Sequence, residues 1–467
     1  MNDQPNSERN AVTQLSRYSL LDALRDRRSR RFGAGMCIPS GPLAYKSRFG
    51  PVPLSEEEEA ALAFAACGIT GYALADLCYE RGEGGNIMAG LVGRTIAAGD
   101  AIQCVALVVT NDDGTYLLKR PRDFPDAEIG TLIRAATENK LSGIYRSSRV
   151  RFRESRSAPS KEPLFNINVN RWSVNAPGST YFLPINDLTL MYINGLLEIF
   201  NETTGAFVLD ERANFLPAGI GRFARSRGGH LEDDPKLGRL ATVKHIELMV
   251  AEFTSIEQGM MLQNLGLAAQ ALGLGGFPNF ANHEFGWFQA LGFRMGSMPA
   301  SRYLGMNAFA RTAARLLRRN PVVPFPIGLE HKGEVLLKPF CPPYFHSMRA
   351  AVEAVLQLKF GPRGVFRGQS GSAWLETQNV TKRIPELSDR AVEATVAYCE
   401  YLWQRYGRFP VHLAPFRTVV GFQAVHLDAE FYNRFYQPGA LSETQRQDFA
   451  RWSASAPGAQ TTTPVGG

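Results

Sequence analysis

Apolar and polar positions alternate along this chain in rhythms that predict most of its elements. The strongest runs from Gly259 to Gly273: Met261, Leu265, Ala268 and Leu272 fall at i, i+4, i+7 and i+11, one buried helical stripe. Met260, Leu262, Leu267 and Ala271 leave few polar positions on the other faces, so this helix belongs in a core or an interface. Gly273 is placed to end it in the left-handed conformation, and Gly275 with Gly276 offer backbone that a ring can approach without meeting a β-carbon. Elsewhere, Ser55 followed by Glu56 to Glu59 predicts a capped helix whose acids sit where the helix dipole favours them. The run AIQCVALVV at 101–109, the turn TNDDGT and the segment YLLKRP predict a hairpin or a buried strand with its neighbour. Leu188, Met191, Leu196 and Ile199 predict a helix over 186–200, interrupted at Gly195, and LATVKHIELMV at 240–250 reads as a strand. PVVPFPIGLEH predicts a late strand, and MRAAVEAVLQLKF and SDRAVEATVAYCEYLWQRYG predict two further helices. Residues 1–15 and 453–467 lack any such pattern and are expected to be disordered.

Composition narrows the classes. A length of 467 residues exceeds one average domain, and 45% apolar content supports a sizeable core. The net charge of +7 is mild for this length, and arginine is clustered instead of forming a nucleic-acid stripe, so the excess is assigned to anionic small ligands. Arg25, Arg27, Arg28, Arg30 and Arg31 surround Ser29, a guanidinium cluster with a hydroxyl that suits a phosphate dianion. The arginine-rich stretch from about 140 to 180 carries no recognisable RNA-binding fold signature, so it reads as a loop-rich insertion and not as an RNA-binding module. Six cysteines without a C-x-x-C pair and seven histidines without ligand spacing fit a reducing cytoplasm and no metal site. The longest uncharged stretch, Ala60 to Ala75, falls short of the roughly 20 residues of a membrane helix and is broken by Gly68 and Gly71, so neither a membrane nor a nucleic-acid partner is expected.

Two motifs carry a resemblance. IEQGMMLQNLGLAAQALGLGGFP, residues 256–278, resembles the signature helix of the FMN-dependent nitroreductase family. The family's N-terminal flavin motif, R-x-S-x-R followed by Phe, is similar to Arg27, Ser29, Arg31 and Phe32 here. The resemblance implies an α+β, nitroreductase-like fold: a central mixed or antiparallel sheet flanked by helices, with long insertions and a C-terminal extension. It divides the chain into a flavin domain over 16–345 with an insertion near 140–235, and a helical extension over 346–452. It further implies FMN held by Arg27, Arg28, Ser29, Arg31, Gly275 and Gly276, NAD(P)H as candidate reductant, a small-molecule substrate and a homodimer. Phe32 follows Arg31 directly, which leaves Arg30 or Arg31 as the ring-facing cation. The family's P-S-x-x-N segment is replaced by GITGYALADL, with Gly84, Gly85 and Asn86 as candidate substitutes. Lys332, Lys338 and Arg349 are all candidates for a late phosphate ligand. The reading is an FMN-dependent oxidoreductase; the alternative is a protein of this fold that serves as a binding or structural module.

Overall fold

The computed structural model describes residues 10–75, 87–162, 171–279, 284–369 and 371–454. The chain opens with short helices α1 (Ala11–Arg17) and α2 (Leu20–Asp26), the small ribbon β1 (Cys37–Ile38) and β2 (Tyr45–Lys46), and helix α3 (Glu56–Cys67). Next come β3 (Ile69–Tyr72), β4 (Val92–Arg94), the hairpin β5 (Val105–Thr110) and β6 (Thr115–Leu118), helices α4 (Asp126–Thr137) and α5 (Leu141–Ser148), and strands β7 (Arg149–Arg153) and β8 (Thr180–Asp187). A middle lobe holds α6 (Thr189–Ile199), β9 (Phe207–Asp210), β10 (Leu216–Pro217) and β11 (Leu240–Thr242), and feeds the 30-residue helix α7 (Val243–Leu272) and β12 (Gly275–Asn279). Beyond it lie α8 (Glu284–Leu291), β13 (Arg294–Pro299), α9 (Ala300–Tyr303), α10 (Ala308–Leu316), β14 (Val322–His331) and β15 (Glu334–Leu337). The chain ends with α11 (Met348–Phe360), α12 (Thr377–Lys382), α13 (Asp389–Tyr406), β16 (Phe416–Arg417), β17 (Gly421–Val425), α14 (Ala429–Phe435) and α15 (Glu443–Ala454).

The main sheet is antiparallel at every pairing, in the order β12-β17-β8-β5-β6-β7 with β16 also on β8. Both faces are covered, which explains why β5 is apolar without a break. Val105, Leu107 and Val109 face Met261 and Leu265 of α7, whereas Ala106 and Val108 face Trp287, Phe288 and Leu329. The stripe on α7 is buried as its spacing predicts, and Gly273 ends the helix at φ 81°. Midway along it, Glu257 pairs with Arg94 at 2.5 Å and accepts the Cys104 and Val105 backbone N–H groups at 3.1 and 3.2 Å, fixing where β5 begins on the helix.

Five expectations are corrected. The strand expected at 240–250 stops after three residues: Thr242 accepts the His245 N–H as a helix N-cap, and Val243, Ile246 and Val250 then follow a helical period. The region expected as an insertion supplies β7 and β8, the latter central to the sheet. The expected helical extension supplies β16 and β17, with β17 between β12 and β8. Order begins within the expected disordered start, because Asn10 caps α1 and Gln14 reaches the Ala271 carbonyl. Gly195 lies within α6 without interrupting it.

Candidate functional site

The arginine cluster and the glycine pair, about 245 residues apart, meet in space. Arg30 forms an antiparallel bridge to Gly276, and three residues later Gly33 bridges to Leu427, so the segment 30–33 is stitched along the ends of β12 and β17. Arg30 is buried: its guanidinium donates to Gln270 Oε1 at 2.8 Å, to the Ala440 carbonyl at 2.6 Å and to the Asp26 carbonyl at 3.2 Å. Burial pulls its pKa below the ordinary arginine value, and its partners are all neutral, so it anchors the segment. Arg27, Arg28, Ser29 and Arg31 are exposed. Arg31 lies over the Phe277 ring at 4.9 Å, a cation–π contact with β12.

Arg28, Ser29, Arg30 and Arg31 form the basic side of a cleft of about 600 Å³. Its other side is aromatic: Phe32, Trp172, Phe431, Tyr432 and Tyr436, closed by the loop Gln437–Ala440. Phe32 stacks on Phe431 at 4.2 Å, and its N–H donates to the Tyr432 hydroxyl at 3.0 Å, so the two walls hold each other in place. Burial pushes the Tyr432 hydroxyl above its ordinary value, which keeps it protonated as a structural partner. Positive charge, an exposed serine and flat aromatic walls suit an anionic, planar ligand.

Three expected site residues lie apart from this cleft. Arg27 is not among its lining residues; its aliphatic stem runs beside Gly266 of α7, whose absent β-carbon would stand 3.9 Å from Arg27 Cδ. Gly275 and Gly276 are close-approach positions, as expected, but protein fills the approach. A β-carbon on Gly275 would stand 2.2 Å from Leu427 Cδ2 and 2.9 Å from the Arg30 carbonyl, and one on Gly276 would stand 2.3 Å from Phe422 Cζ. Among the late cations, Arg349 pairs with Glu393 at 2.7 Å, Lys338 lies over Phe345, and Lys332 occupies the β14–β15 turn, so none lines the cleft. Gly84, Gly85 and Asn86 lie outside the described residues. Sequence reasoning missed the aromatic wall, although FYNRFY at 431–436 repeats aromatics at i, i+1, i+4 and i+5 and so marks one helical face.

Behind the segment lies a buried charge cluster. His426 holds Asp448 through Nδ1 at 2.8 Å and Glu58 through Nε2 at 3.4 Å, and Arg451 bonds both carboxylates, at 3.0 Å to Glu58. Burial lowers the His426 pKa, but the bonds to Asp448 and Glu58 outweigh it and raise it to about 10. Glu58 is raised by burial yet ends at about 2 through His426 and Ser55. The three ligand-type side chains lie within 4.8 Å of one another, as a metal site requires. Two carboxylates against an imidazolium and a guanidinium already balance, however, and both histidine nitrogens are engaged, so the cluster is complete as an ion network. It ties α15 to α3 and to the end of β17.

No protein-family model and no curated protein matches this chain. Among solved structures it is similar to a crystal structure named "putative nitroreductase" from Ralstonia eutropha JMP134, at 12% identity over 62% of this chain and 79% of that one. The TM-score is 0.27, too low for the two backbones to be treated as one fold, and the functional reading rests on this chain's own residues.

Proposed function

We propose that this chain is an FMN-dependent oxidoreductase of nitroreductase type acting on a small organic substrate in the cytoplasm. The observation that carries the reading is the bridge from Arg30 to Gly276, which joins the R-x-S-x-R segment to the glycine-rich end of the long helix beside a cleft with basic and aromatic walls. The donor set and volume fit a flat phosphorylated molecule: Arg28, Ser29 and Arg31 would hold the phosphate, and Trp172 and Tyr436 offer flat surface for a ring. A bound flavin supplies hydride or electron transfer, with NAD(P)H as candidate reductant. The chain itself binds, orients and excludes water, and none of those tasks needs a side-chain nucleophile.

In this reading the protein is a homodimer. The outward face of α7 shows Phe253, Ile256 and Met260, and α2, which packs on the same helix, exposes Leu20, Leu21 and Leu24. Gly259 sits among them in mid-helix with no described atom near the place of a β-carbon, a residue that weakens a helix by about 0.5–1 kcal/mol relative to alanine and that no close approach among the described residues requires. A second copy crossing there would use the close approach.

One observation favours the alternative, a binding module: the room at Gly275 and Gly276 is taken by Leu427 and Phe422. Purified protein distinguishes the two. Yellow absorbance in the flavin bands with FMN released on denaturation supports the enzyme; colourless protein that cannot be reconstituted with FMN supports the module.

A further inference from the structure

Between β13 and β14 the chain leaves the body to form α9 and α10, and α10 buries none of its residues. Its two sides differ in chemistry. Phe309 and Leu316, seven residues apart and so on one side, are 85% and 78% exposed, and Leu317 at the helix end is 65% exposed. Arg311 and Arg315 occupy the opposite side, and Arg318 and Arg319 continue the charge into the turn after the helix. From residue 285 to residue 329 there is no Asp or Glu. Among the described residues none of these four guanidiniums has an ion pair or a side-chain hydrogen bond, whereas Arg48, Arg94, Arg156, Arg349 and Arg451 are all paired. Arg318 also stands at φ 52°, the left-handed helix-ending position where glycine is the inexpensive choice, so the chain places a cation there against its backbone preference.

We propose that α10 seats this protein on an anionic lipid surface, with Phe309, Leu316 and Leu317 entering the headgroup layer and the four arginines meeting lipid phosphates. A nucleic acid would satisfy the arginines and stack on Phe309, but it has no continuous apolar layer to take Phe309, Leu316 and Leu317 together. A second copy, itself carrying +7, has no general electrostatic attraction for this face. An anionic bilayer satisfies both sides of the helix at once, the arrangement of interfacial helices. Such a helix lies on the membrane, consistent with no helix among the described residues being long and apolar enough to cross one.

The test is co-sedimentation of the full chain with phosphatidylcholine vesicles, with and without phosphatidylglycerol. Pelleting with the anionic vesicles alone, relieved by high salt, is expected. Arg315→Ala with Arg319→Ala should weaken partition about 30-fold, taking roughly 1 kcal/mol per cation near an anionic surface. Phe309→Ser with Leu316→Ser should abolish it, both pairs keeping the parent's thermal unfolding midpoint because no described partner is lost. Absence of pelleting with anionic vesicles, equal pelleting with neutral ones, or full binding by the arginine pair overturns the proposal. So does light scattering showing that these variants dissolve a lipid-free oligomer, which would assign the face to a second copy.

Discussion

Gly275→Ala adds one methyl group at the place where segment 30–33, β12 and the segment just after β17 meet. The new carbon would lie 2.2 Å from Leu427 Cδ2, 2.8 Å from Leu427 Cγ and 2.9 Å from the Arg30 carbonyl, against roughly 3.5–4.0 Å for an ordinary carbon contact. Leu427 is packed among Phe32, Met36, Val425 and Phe431 and has no route to solvent, so its side chain must leave its place or the Arg30–Gly276 bridge must open. Overpacking of this kind costs about 1–3 kcal/mol. Leu427→Ala alone should cost about 2–5 kcal/mol through its cavity. The double variant should be better than the sum by about 1–2 kcal/mol, since the shortened side chain accommodates the methyl. The Arg30 carbonyl remains in the way, so relief is partial. Urea midpoints of the four proteins, with the flavin-to-protein ratio measured on each, form the assay. A Gly275→Ala midpoint equal to the parent's, or strictly additive costs, refutes the packing account; loss of flavin at an unchanged midpoint would move the glycine into a ligand site.

Arg28→Ala and Arg31→Ala should each weaken FMN binding by about 1.5–3 kcal/mol, the scale of a charge-assisted hydrogen bond, in fluorescence titration of apo-protein. Arg156→Ala should leave that affinity alone while lowering the melting temperature, because Arg156 ties Asp112, Asn175 and the Ser179 carbonyl together; equal affinities for all three variants would exclude the cleft as the phosphate site. The His426 cluster gives stability a defined pH course. His426 lies above its ordinary 6.5, so its contribution is whole below that value and drains as pH climbs through about 10. Glu58 lies below its ordinary 4.5, so its contribution is whole above that value and drains as pH falls toward about 2. His426→Gln should cost about 3–5 kcal/mol at neutral pH and flatten the alkaline limb of the melting profile; an unchanged limb would contradict the assignment. Ile256→Asp on the outward face of α7 should turn a dimer into a monomer of unchanged melting temperature, read by light scattering, and a parent that is itself monomeric would remove the interface.

Local signals were legible where burial is one-sided or where a cap marks a boundary. The second half of α7 shows its stripe, α3 shows Ser55 with Glu58 as a capping box, and the β5–β6 hairpin shows its Asn111–Gly114 turn. The first half of α7 was hidden because Lys244, His245, Glu247 and Glu252 break the apolar rhythm; Glu247 is buried for a reason no local pattern reveals, accepting the backbone N–H groups of Val411 and His412 at 2.7 and 2.6 Å. Pro184 stands inside the central strand β8 although it cannot donate to a ladder. The ladder on one side of β8 jumps from Phe422 opposite Phe182 to Arg417 opposite Asn186, so no residue stands in register with Pro184 on that side. The cationic half of the cleft could be read from one short stretch. Most of its aromatic half, Phe431, Tyr432 and Tyr436, comes from some 400 positions later, brought over by the Gly33–Leu427 bridge, with Trp172 added from the middle of the chain.

Helix α7 places its first turns, through Val243, Ile246 and Val250, among the packed side chains of α6, α11 and α13, and its last turns, through Met261, Leu265 and Leu272, under the sheet. Thirty residues at 1.5 Å each make a rod about 45 Å long, stiff over that length, with one end in each body. Loosening either body unloads one end of the rod, and the helical backbone between them carries no joint at which the disturbance can be absorbed. The two bodies should therefore melt together, and a single protease cut near Ser255 should release both.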